Sequence, residues 1–164
     1  MNSRIFFAAA ALVAMGAGTL PARAADLLST HRLSAALATE AATGAAAACR
    51  KLGFSTTVAV TDADGVLQAL VRDDGAGIHT VQAAQDKAFT AATYGRATSE
   101  VVKRQEARGA FAVIVKQPHL LADEGGLPIK VGTELVAAIG VSGSAGKDED
   151  CGNAGIDLIK NRLK

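Results

Sequence analysis

The chain predicts an α+β fold, an antiparallel sheet covered by helices, and three observations predict it. Two hairpin signals, Asp64-Gly65 and Gly132-Thr133, each join runs of apolar and β-branched residues. Stretches with a helical period precede the first hairpin, separate the two, and follow the second. The resulting order is helix, hairpin, two helices, hairpin, helix. No internal repeat, linker or low-complexity tract interrupts it.

The first two dozen residues stand outside that fold. Arg4 is followed by an apolar run from Ile5 to Gly18 and then by Pro21-Ala22-Arg23-Ala24, an Ala-x-Ala cleavage pattern. Residues 1–24 therefore read as a secretory signal peptide and residues 25–164 as one domain, destined for a periplasmic or secreted location. The apolar run is shorter than the ~20 residues of a spanning helix, so no membrane span is expected after cleavage. The chain carries 17 Lys and Arg against 16 Asp and Glu, and the leader removes Arg4 and Arg23 with no acid, leaving a formal charge of −1. With that balance, and only Phe54, Phe89, Tyr94 and Phe111 as aromatics after residue 24, no nucleic-acid partner is expected. Cys49 and Cys151 each occupy an apolar helical position, which suits either one disulfide in an oxidising compartment or two small buried thiols.

From Ser29 or Thr30, either of which can cap, Leu33, Leu37, Ala41, Ala45, Ala48 and Leu52 mark one face of a long helix ending at Gly53. His31 falls in its first turn, where a neutral imidazole is available to a metal or simply lies exposed. Thr56 to Thr61 and Val66 to Arg72 form the first hairpin; along the second run Gln68, Leu70 and Arg72 share one face, Leu67, Ala69 and Val71 the other. Arg72 thus emerges beside the polar loop Asp73-Asp74-Gly75-Ala76-Gly77, and a helix follows from near Ile78 to Gly95, with His79 in its first turn. Helix starts favour anions. Lys87 stands at the border of that helix's apolar stripe, as a ligand cation or a snorkelling side chain.

Thr98 can cap a shorter helix stopped by Gly109. Phe111 to Val115 reads as a buried strand, and Pro118 to Ala122 as a brief extended piece carrying His119, a third candidate ligand or an exposed loop residue. A second acidic glycine loop, Asp123-Glu124-Gly125-Gly126, comes next. Ile129 to Val131 and Leu135 to Ser142 make the second hairpin, and Gly140, Gly143 and Gly146 leave its end bare for a flat ligand or another subunit. Asp148 can cap a last helix that turns Cys151, Ala154, Leu158 and Ile159 inward.

Several chemistries are absent. The chain has no nucleotide-binding loop, no paired-cysteine metal motif and no His-Glu-x-x-His. Ser142-Gly143-Ser144 lacks the glycine pattern of a hydrolase elbow. The chain reads as a binding protein more than as an enzyme.

Val58-Ala59-Val60 with Asp64-Gly65, Arg72 through Thr80, Lys87-Ala88-Phe89-Thr90-Ala91 and Thr98-Ser99-Glu100 form one ordered set. Gly125-Gly126-Leu127-Pro128-Ile129, Ile139-Gly140-Val141-Ser142-Gly143, Asp148-Glu149-Asp150-Cys151 and Ala154-Gly155-Ile156 continue it. No single piece is specific, but the set resembles the GlcG/HbpS family of haem-binding proteins; Phe111 to Ala122 departs most from the family pattern. The resemblance implies a five-stranded antiparallel sheet flanked by helices in a profilin-like layering, and assembly into a homo-oligomer, a dimer or larger. It also implies haem as cofactor, with haem storage, sensing or degradation as the role.

On that reading Arg72, Asp74, Gly75, His79, Lys87, Gly125 and Gly126 form the cofactor site, His79 or His31 ligates iron, and Arg72 and Lys87 pair with propionates. A second reading dispenses with iron: Arg72, Asp74, Lys87 and the two glycine loops hold a small organic acid, with Lys87 as clamp or desolvated base. A third is an oligomeric accessory or sensor protein whose surfaces mainly serve assembly.

Overall fold

The computed structural model describes residues 29–109 and 116–164. The expected leader and the expected strand at Phe111 to Val115 lie outside the described residues. The elements are α1 (Ala35–Lys51), β1 (Thr57–Asp62), β2 (Leu67–Arg72), α2 (Thr80–Tyr94), α3 (Thr98–Ala107), β3 (Gly126–Val131), β4 (Glu134–Ser142) and α4 (Asp148–Ile159), with a single 3-10 turn, Lys160–Arg162, at the end. The strands pair antiparallel in the order β2-β1-β4-β3. Among the described residues the sheet has four strands, against the five expected. Pro118 to Ala122 forms no strand either; it runs as loop.

Both hairpins form where their turn residues place them. Gly65 (φ 83°) and Gly132 (φ 58°) supply the left-handed backbone that each tight reversal needs. The first hairpin departs from simple alternation at a bulge between Val60 and Thr61. Gln68 consequently turns towards the α1 side, donating to the Leu33 carbonyl at 3.2 Å, and does not share a face with Leu70 and Arg72 as the period predicts. β3 begins at Gly126, three residues earlier than the sequence suggests, because an edge strand tolerates Pro128, which pairs with Ala138.

Helix boundaries follow capping chemistry. α1 starts after Ser34, whose hydroxyl accepts from Leu37 N–H at 3.3 Å, and not after Ser29 or Thr30. His31 and Arg32, released from the helix, are tied instead to Glu134 and to Asp62 and Asp64. α2 ends at Gly95 (φ 61°) as expected. α4 is entered through Lys147, and Asp148 is its first residue.

The sheet separates two helical layers. On one face α1 and α4 pack with Val58, Val60, Ile129, Ile139 and Val141 into the main core. There Gly155 lies where a Cβ would come within 2.4 Å of the Ala41 carbonyl, so the two helices meet almost backbone to backbone. Cys49 and Cys151 form a disulfide between them, which settles the two alternatives left by the sequence.

On the other face α2 lies directly on the sheet. Ala59, Gly140 and Gly126 are cross-strand neighbours on β1, β4 and β3. A Cβ on Gly140 would stand 2.1 Å from the Ala84 carbonyl oxygen, and one on Gly126 2.3 Å from that of Lys87. The bareness of Gly140, expected to admit a ligand or another subunit, is filled by the chain's own helix. That row of small residues sets the depth at which Lys87 enters the molecule.

Candidate functional site

Seated on Gly126 and Gly140, α2 directs the Lys87 side chain past Gly125, where any Cβ would meet its Cδ at 3.0 Å. The lysine is 2% exposed. Its Nζ reaches Asp148 Oδ2 and Asp123 Oδ2, each at 2.9 Å. Burial alone would lower the lysine's pKa, but the hydrogen bonds and charges of Asp148 and then Asp123 outweigh it and raise the pKa above its ordinary value. Paired in this way Lys87 is held as a cation, which favours the clamp over the base in the organic-acid reading.

The two carboxylates differ in how firmly they are held. Asp148 is buried, and its second oxygen accepts from the Ser144 backbone N–H at 2.8 Å and the Ser144 hydroxyl at 2.6 Å. Asp123 has a side chain 61% exposed, on the loop before β3. Next to it, Glu124 accepts from Gly146 N–H and from Glu149 N–H in the first turn of α4. Glu149 in turn accepts from Ser99 N–H and hydroxyl at the start of α3. Paired acids thus lock the acidic glycine loop to two helix starts, where orphan N–H groups need partners.

In front of Lys87 opens a cleft of about 440 Å³, lined by His79, Thr80, Lys87, Asp123, Ser142 and Asp148 among others. The Thr80 hydroxyl donates to the Gly77 carbonyl at 2.6 Å and accepts from Thr57 at 2.7 Å, which pins the start of α2 to β1. The His79 ring lies against Gly77, where a Cβ would stand 2.7 Å from Cε1. Beside it Ile78 is 87% exposed.

Of the residues expected at the site, the structure brings His79 and Lys87 to this cleft. Gly125 and Gly126 lie behind it, as the seat of Lys87. Arg72 is not on its lining: the guanidinium donates to the Ala76 carbonyl and closes its own loop. It is nevertheless in the same cross-strand row as Thr57 and Ser142, two strand spacings or ~10 Å from the latter. Asp74 and Gly75 are exposed and outside the lining; buried Asp73 carries the loop's structural role, accepting from Arg50 and from Thr56 N–H. His31 sits elsewhere, its Nδ1 2.7 Å from Glu134 Oε2 and its N–H bonded to the same carboxylate. No cluster of three or more His, Cys, Asp or Glu that could hold a metal occurs among the described residues.

Sequence reasoning missed Asp123 and Asp148 as the partners of Lys87. In the sequence, Asp148 reads as a capping acid. The available signal was energetic: a lysine facing a core needs an acid, and the acids flanking glycine turns were the nearest candidates.

The chain is similar to several known proteins. Protein GlcG of Escherichia coli (strain K12) is 36% identical over 93 residues, 57% of this chain and 68% of that protein. A doubly substituted HbpS of Streptomyces reticuli matches 93% of this chain and 99% of its own, with 36% identity and a TM-score of 0.76. PduOC, solved in complex with haem, shares the fold at a TM-score of 0.72 and 23% identity, over 78% of this chain and 95% of its own. The family model described as "Haem degrading protein HbpS-like" matches residues 33–157, and with the layered α+β fold agreeing as well, the chain belongs to the HbpS-like family.

Proposed function

We propose that the Lys87 cleft binds haem in an exported protein. The observation that carries the reading is a buried lysine paired with two carboxylates and an exposed imidazole, His79, on one cleft. The residues fit the group. His79 would offer an imidazole nitrogen to the iron and Lys87 a cation to a propionate, with exposed Ile78 as apolar surface beside His79. Because Asp123 is the exposed partner and Asp148 the fixed one, an incoming carboxylate exchanges with Asp123. Arg72 lies along the same sheet row and would serve a second propionate only on leaving the Ala76 carbonyl. Haem would supply a redox-active iron; these side chains would bind and orient it. The family's description and the haem complex of a fold relative support this reading.

Haem titrated into the purified protein should give a saturable Soret shift, weakened at least tenfold by His79→Ala and unaffected by His31→Ala. An unshifted spectrum in the wild type ends the reading. The same outcome with loss on His31→Ala instead keeps haem but moves the ligand.

A second reading, a small organic acid clamped by Lys87, is favoured by the many polar groups on the cleft wall. Calorimetry with short hydroxy and keto acids tests it, and a flat trace across the panel removes it. The reading further includes export after a leader over residues 1–24 and self-association. Support for the latter is an apolar groove between α1 and α4, where Leu52 and Leu158 are exposed. Sedimentation as a monomer at micromolar concentration would remove that element. No helix among the described residues is long and apolar enough to cross a membrane.

A further inference from the structure

On the flank of α2 that faces the first hairpin lies a pocket of about 330 Å³ that shares no lining residue with the Lys87 cleft. We propose that this pocket, formed by Thr61, Leu67, Gln85, Asp86, Phe89 and His119, binds a small planar heteroaromatic ring carrying N–H groups.

Four observations point there. The aromatic wall is built in: Phe89 occupies the space above Gly65, where a Cβ would stand 2.6 Å from its ring, and the His119 ring meets it edge-on with centroids 6.1 Å apart. The acceptor is oriented: Asp86 Oδ1 takes a hydrogen bond from Gln82 Nε2 at 2.7 Å and lies 3.4 Å from His119 Nδ1. A buried hydroxyl lacks a partner among the described residues: Thr61, 2% exposed, contributes to the lining, and its Oγ1 makes no hydrogen bond there. Buried polar groups are ordinarily satisfied, so this one leaves the pocket floor with an unmet hydrogen bond.

The fourth is conformational. His119 has φ 62°, the one non-glycine residue with positive φ among the described residues. A histidine in left-handed backbone is disfavoured and persists where its surroundings hold it. Here the Leu121 N–H donates to Thr90 Oγ1 at 2.9 Å and ties that loop onto α2. The chemistry of the guest follows from the lining. Phe89 and half-exposed Leu67 offer apolar area to a flat ring, while Asp86 offers an acceptor to its N–H groups; one or two fused rings suit the volume.

Hypoxanthine serves as the probe, titrated into the 15N-labelled protein and followed by amide shifts. Saturable shifts at Thr61, Gln85 and Phe89 are expected, with binding weakened at least tenfold by Phe89→Leu and by His119→Gly. Glycine adopts φ 62° without strain, so His119→Gly keeps the fold and isolates the imidazole. Excess haem should leave the shifts in place. The proposal is overturned by absence of shifts at millimolar probe, by shifts confined to the Lys87 cleft, by equal binding in His119→Gly, or by competitive displacement by haem. Haem binding without hypoxanthine binding would sink this site alone.

Discussion

The two faces of the sheet use one packing device for opposite ends. On the α1 and α4 face, Gly44, Ala41 and Gly155 bring two helices together, and the result is an apolar layer closed by the Cys49–Cys151 disulfide. On the α2 face, Gly126 and Gly140 bring a helix onto strands, and the result is a buried ammonium between two carboxylates. Close approach removes water in both places. Where the approaching groups are apolar that stabilises; where one is Lys87, it creates an electrostatic demand that only specific partners meet. The faces touch at Ser144, whose hydroxyl donates to Asp148 and lies 3.1 Å from Cys49 Sγ.

The largest test of that contrast is Lys87→Met. It keeps the apolar stem and leaves Asp148 buried without its cation, at a cost of about 4 kcal/mol in chemical denaturation. A loss under about 1 kcal/mol would show that the cluster relaxes or admits water. Replacing both cysteines by alanine opens a bridge spanning 102 residues and should cost about 3 kcal/mol while leaving carboxylate or haem binding unchanged. If binding falls with stability held by osmolyte, Ser144 couples the faces more tightly than packing requires. Gly140→Ala forces a methyl against the Ala84 carbonyl, a backbone atom, and should cost about 2 kcal/mol. Gly44→Ala meets only the end of Leu158, an exposed side chain that can turn aside, and should cost under about 1 kcal/mol. Equal losses at the two glycines would erase the distinction between the faces.

Those same particulars explain what the sequence could reveal. Asp64-Gly65 and Gly132-Thr133 dictate their turns locally, and the helix stops at Gly53 and Gly95 need only φ > 0, so hairpins and helix ends were readable. The bulge after Val60 was not, because a register shift arises between strands and leaves no mark on a single run. Gly140 was recognised as a bare position, but what fills it depends on α2, over forty residues away. For the site, Lys87 and His79 were legible as polar residues on one helix. Asp148 was hidden because its local chemistry, an acid opening a helix, fully accounts for it until the lysine's burial is known. Arg72 misled for the converse reason: its strand position aims it correctly, and a nearby carbonyl at Ala76 then captures it.

The smallest expected stability effect carries the most functional information. Asp123 is exposed and screened, so Asp123→Asn should change stability by no more than about 1 kcal/mol. It also removes the anion with which an incoming carboxylate must exchange, so affinity for acetate, or for haem through a propionate, should rise several-fold. The pH dependence separates this from a general loosening. Lys87 has a folded pKa raised above its unfolded value, so its charge and the stability it lends are fully present below about pH 10 and are lost only as pH rises through the folded value. Carboxylate binding should accordingly be flat from pH 7 to about 10 in wild type and mutant alike, and fall in stronger alkali. A decline near neutrality would mean that an imidazole, not Lys87, holds the carboxylate; unchanged affinity in Asp123→Asn would mean that the two acids are equally fixed and that no exchange opens the cleft.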